Sequence, residues 1–96
     1  DRMDLKTAAG VADAFINRLK RLNEVEDINP AGSLRRMKDT VRDIDILISS
    51  KKAEKVMDTF TDLSDVKDIV AKGPTKSSVI TKDGIHVDVR VVENSS

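Results

Sequence analysis

The chain has 96 residues, in which 17 Lys and Arg balance 17 Asp and Glu, with one His and no Cys. That length allows one hydrophobic core and no second folded unit of comparable size. Zero net charge excludes nucleic-acid binding by bulk charge, the lack of cysteine excludes disulfides, thiolate metal sites and thiol nucleophiles, and no apolar run approaches the roughly 20 residues that span a bilayer, so a cytoplasmic chain without membrane contact is the expectation.

In chain order, Leu5, Ala8, Ala12, Phe15, Ile16, Leu19 and Leu22 fall at the three-and-four spacing of one helical face, predicting an amphipathic helix that ends near Asn23. "VEDINPAG" then reads as a short strand running into a Pro-Ala-Gly corner, with Pro30 placing it at an edge or a strand end. "DIDILIS" is the strongest strand: Ile44, Ile46 and Ile48 alternate with Asp43, Asp45 and Leu47. "KKAEKVMDTFTDL" sets Ala53, Val56, Met57, Phe60 and Leu63 on one face of a second helix, and "VKDIVAKG" returns to strand. "KSSVIT" and "IHVDVRVV", joined by Lys-Asp-Gly, predict a hairpin whose second arm turns Ile85, Val87, Val89 and Val91 one way and His86, Asp88 and Arg90 the other. The order predicts an α/β (α+β) fold, one mixed β-sheet with helices packed on one face, as a single domain over residues 1–96.

Three aspartates carry the chemistry. Asp43 and Asp45 share one strand face, and if the strand of Asp88 is a neighbour, three carboxylates converge and repel one another unless cations sit among them. An all-carboxylate set with no cysteine favours magnesium over zinc, and magnesium commonly joins carboxylates to substrate phosphates. Gly32 and Ser33, ahead of the basic cluster, offer those phosphates backbone amides, and Arg36 offers a charge-assisted contact. Each part has a plainer reading by itself: Asp-x-Asp as a strand end, "LRRMK" as a solvated helix face, Asp88 with Arg90 as a surface ion pair, His86 as a polar neighbour.

Four motifs in order, "GSLRR" (Gly32 to Arg36), "DIDILI" beginning ten residues after Ser33, "KGPTKSSV" (Lys72 to Val79) and "HVDVRVV" (His86 to Val92), make the chain resemble the palm, or nucleotidyltransferase, domain of bacterial and archaeal family X DNA polymerases. The resemblance covers essentially the whole chain. It implies transfer of a nucleotide from a dNTP to a DNA primer 3′-hydroxyl with two Mg2+ ions, Mn2+ being an alternative, in DNA repair synthesis. By position it assigns Asp43, Asp45 and Asp88 as catalytic metal ligands, with Asp88 nearest the attacking hydroxyl. It assigns Gly32, Ser33 and Arg36 to the triphosphate, Arg90 to pairing with the carboxylates, and Lys72, Thr75 and Lys76 to the backbone of primer-template or gapped DNA. Arg42 departs from a common glycine, Met37 from a small residue, and His86 from an arginine found in some relatives.

The family's helix-hairpin-helix regions and nucleobase-contacting subdomain are not among these residues, so the resemblance implies a fragment of a longer polymerase, monomeric and nearly inactive in isolation. Two other readings stay open at this level: a free-standing minimal nucleotidyltransferase acting on a small molecule or protein, and a non-catalytic α/β binding module. The second predicts no divalent-ion site.

Overall fold

The computed structural model describes residues 3–31, 40–41 and 43–93. Strand β1 (Met3–Asp4) leads directly into helix α1 (Leu5–Leu19), where the Asp4 carboxylate caps the helix by accepting a hydrogen bond from the Thr7 amide at 2.7 Å. That backbone bond holds the Asp4 carboxyl below its usual range. Ala8, Ala12, Phe15 and Leu19 form the buried stripe. The helix stops one turn earlier than the spacing predicts: Leu22 packs on the core from the turn that follows, where its amide donates to the Leu19 carbonyl at 3.1 Å.

Five further strands form a single mixed sheet, β2 (Asp27–Ala31), β4 (Asp43–Ser49), β7 (His86–Val92), β6 (Lys76–Thr81) and β5 (Val66–Lys72) in spatial order. The fold is therefore α+β, as expected. Only β4 and β7 run parallel; the other neighbours are antiparallel. Pro30, with no N–H to donate, sits on the outer strand β2. A second, two-stranded sheet was not foreseen: β3 (Thr40–Val41) pairs with β1, tying the chain just ahead of β4 to the start of α1.

Helix α2 (Ala53–Thr61) and α1 lie on the face of the sheet that carries Ile44, Ile46, Ile48, Val79, Val87, Val89 and Val91. Val56, Met57 and Phe60 enter this core from α2, and Phe60 meets Phe15 edge to face, with ring centroids 5.8 Å apart. The buried hydroxyls are satisfied locally. Ser77 donates to the Met57 sulfur at 2.9 Å, Thr61 to the Met57 carbonyl at 2.9 Å, and Ser50 to the Glu24 carbonyl at 2.6 Å. Among the described residues no helix is long and apolar enough to cross a membrane.

The Asp-Gly turn predicted between β6 and β7 is present. Gly84 has φ +83°, and its amide donates to the Thr81 carbonyl at 2.9 Å. Gly84→Ala is expected to cost roughly 1–2 kcal/mol, because a Cβ is strained in the left-handed region. Urea unfolding checks this through a lower midpoint at unchanged slope; an unchanged midpoint would contradict it.

Candidate functional site on the open sheet face

Strand pleating that sends the Ile and Val side chains of β4 and β7 to the helices sends their polar residues to the opposite, helix-free face. Parallel register then fixes the neighbours: Asp43 lies across from His86, Asp45 from Asp88, and Leu47 from Arg90. On the far side of β7, Arg90 is opposite Lys76 and Asp88 opposite Ser78; on the far side of β4, Ala31 is opposite Asp45. The short Ala31 side chain leaves room beside Asp45. A hollow of about 370 Å³ opens there, lined by Ala31, Asp45, Leu47, Lys76, Asp88 and Arg90 among others.

Burial, followed by the charges of Asp88 and Asp43 and by a hydrogen bond with Asp88, pushes the Asp45 carboxyl above its usual range, and Lys76 opposes the shift. The folded chain thus holds this proton more tightly than the unfolded one. The resulting stabilisation is complete below the ordinary aspartate range and is lost as pH rises through the elevated folded value. At pH 7 an ionised Asp45 burdens the fold. Asp45→Asn is therefore expected to raise stability at pH 7 by less than about 1 kcal/mol, since solvent screens this partly exposed group, and to bring no gain at pH 3. Urea titrations of both proteins at the two pH values measure it; a loss of stability at pH 7 would refute the strain.

His86 bridges the two strands. Its Nδ1 is 3.4 Å from Asp43 Oδ1 and its Nε2 is 3.4 Å from Asp88 Oδ1. These are close contacts without hydrogen-bond geometry: His86 Nε2 and Asp88 Oδ1 are both enclosed and have no hydrogen-bond partner. The expected carboxylates share one face of two adjacent strands, with Asp45 and Asp88 directly opposed. Among the described residues, however, no three His, Asp or Glu side chains are gathered closely enough to hold a metal ion. The donor chemistry fits a hard divalent cation, given carboxylate oxygens, an orphaned Asp88 oxygen and a carboxyl whose ionisation is resisted. The present spacing does not enclose one.

The basic candidates separate. Lys76 belongs to the carboxylate hollow, as does Arg90, which makes no ion pair among the described residues. Lys72 lies on the helix side, opposite the buried Ser77, and is bound to Asp58 of α2 at 2.6 Å. Thr75 stands in the turn between β5 and β6, its carbonyl accepting from the Val91 amide at 2.8 Å. Gly32, Ser33, Arg36 and Arg42 lie outside the described residues. Sequence reasoning left His86 without a role, because alternation places it beside Asp88 but only the strand register places it across from Asp43. It likewise missed that Lys76 opposes the repulsion at Asp45.

A mixed five-stranded sheet, two helices on one face and an aspartate pair across the central parallel strands are compatible with the palm fold of nucleotidyltransferases. Over 80 residues the chain is 31% identical to the DNA polymerase/3'-5' exonuclease PolX of Bacillus subtilis (strain 168), a match that supports a PolX-related region. It covers 83% of this chain and 14% of that protein, so the chain spans about one-seventh of its relative's length. No family model matches the chain.

Proposed function

We propose that residues 1–96 are the catalytic palm domain of a family X DNA polymerase, transferring a nucleotide from a dNTP to a DNA primer 3′-hydroxyl within a longer protein. One observation carries the reading: Asp45 stands directly opposite Asp88 on the open face of the central parallel strands, in a segment similar to PolX. Asp43, Asp45 and Asp88 would hold two Mg2+ or Mn2+ ions. When bound, these supply charge neutralisation for the transferring phosphoryl group and its leaving pyrophosphate. Asp88, the more enclosed of the two carboxylates that contact His86, would accept the proton of the primer hydroxyl. Gly32, Ser33 and Arg36 would take the triphosphate. Lys76 and Arg90, which line the same hollow, would balance the carboxylates or meet the nucleic-acid backbone with Thr75 of the β5–β6 turn, whereas Lys72, at the end of β5 on the helix side, would reach that backbone only by leaving Asp58.

The test is binding without turnover. Substoichiometric Mn2+ added to labelled protein is expected to broaden the amide signals of Asp43, Asp45 and Asp88 before any others. Arg36→Ala is expected to weaken Mg2+-dependent triphosphate binding by about 1.5–3 kcal/mol, the worth of a hydrogen bond to a charged group, equally for all four bases. Broadening centred on residues 58–65 would remove the reading.

A further inference from the structure

We infer that His86 is a positioning residue that wedges the carboxylate site open: its imidazole occupies the gap between Asp43 and Asp88, and a divalent cation reaches those two carboxylates only as the ring withdraws. This rests on the proposed function, since it concerns how the same site accepts its cation. The observations are geometric. One ring contacts carboxylates of two different strands through two different nitrogens, each at 3.4 Å. It does so without a hydrogen bond at Nε2, so nothing directional locks it in place.

A magnesium ion demands its oxygens at about 2.0–2.1 Å in near-octahedral geometry, with most remaining positions held by water. A ring standing 3.4 Å from both Asp43 Oδ1 and Asp88 Oδ1 competes for the space of that shell. Asp43 and Asp88 lie on one face of adjacent strands with the imidazole between them, so the ring stands where a cation shared by the two carboxylates would sit. His86 also has somewhere to go. Its side chain is 38% exposed at the first position of β7, just after the Gly84 turn, whereas Asp88 is 21% exposed and flanked by neighbours on both strands. Withdrawal of the ring would free the orphaned Asp88 oxygen for a cation and leave the backbone register untouched.

His86 is the single histidine, so its imidazole gives one unambiguous set of nuclear magnetic resonance signals. At pH 8, above the ordinary imidazole range, Mg2+ titration of the intact 96-residue chain is expected to shift those signals with the same midpoint as the Asp45 and Asp88 amides. His86→Ala is expected to bind Mg2+ about three- to tenfold more tightly, the scale of two weak, partly exposed side-chain contacts that the cation no longer has to displace. His86→Phe keeps a ring between the strands and is expected to bind no more tightly than the parent. Amide spectra of both variants verify folding. Asp45 and Asp88 amides that shift while the imidazole stays still would overturn the wedge and leave the proposed function standing, as would equal affinity in all three proteins or equal tightening in Ala and Phe. Amides that stay still in every variant would overturn both.

Discussion

Phe60→Ala is expected to remove about 3–5 kcal/mol of stability, the usual cost of emptying a buried aromatic site. Globular domains have only about 0.05–0.15 kcal/mol per residue in hand, so the loss is a large share of the total for a chain of this length. The site has little means of collapsing. Phe60 is fully enclosed in the last turn of α2, edge-on to Phe15 of α1, and the two rings are the largest side chains holding the helices to one another over the sheet. Helix α2 has nine residues and no side-chain cap at Lys52; so short a helix persists only through its packed face. Urea unfolding should show the full loss, whereas Ile69→Ala, at a half-exposed position on the outer strand β5, should stay within about 0.5 kcal/mol of the parent. A loss below 1 kcal/mol at Phe60 would mean that α2 contributes little to the core.

The part of the fold that alternation controls was legible in the sequence. The Ile ladder of β4 and the Val ladder of β7 each have one wholly apolar face, and burial follows them residue by residue. What alternation cannot supply is who lies beside whom. The parallel pairing of β4 with β7, with β5, β6 and α2 between them in the chain, depends on long-range packing, and it is this pairing that sets Asp45 against Asp88 and Asp43 against His86. The β1–β3 pair involves two residues from each strand, too few to leave a periodic signature. β5 was legible as a strand but not in its faces, because two register shifts disturb its alternation and leave Ile69 and Val70 exposed at the sheet edge. Lys72 and Lys76 looked equivalent as two lysines flanking Gly-Pro-Thr. The turn between them sends Lys72 to Asp58 and Lys76 to the aspartates.

Asp88→Asn is the substitution with the largest expected effect on chemistry. It conserves shape, keeps one oxygen acceptor and removes a charge from a crowded set, so the fold should survive; the raised Asp45 carboxyl should relax towards its usual range as its nearest negative neighbour disappears. Under the proposed function it removes a metal ligand that also takes the primer proton, and the proton transfer alone contributes about 10²–10⁴-fold in rate. The 96-residue chain alone is expected to extend a primer at or near background, because transfer needs the hydroxyl and the α-phosphate held in line, and a 1 Å misplacement costs about a hundredfold. The comparison therefore belongs in a chimera, with this chain replacing the segment of Bacillus subtilis PolX that it matches. Primer extension by the Asp88→Asn chimera should fall by at least that factor relative to the parent chimera. Triphosphate binding should change little, since its expected contacts are Gly32, Ser33 and Arg36. Equal extension by the two chimeras would refute the role of Asp88, and loss of triphosphate binding together with extension would assign it to holding the nucleotide rather than to accepting the proton.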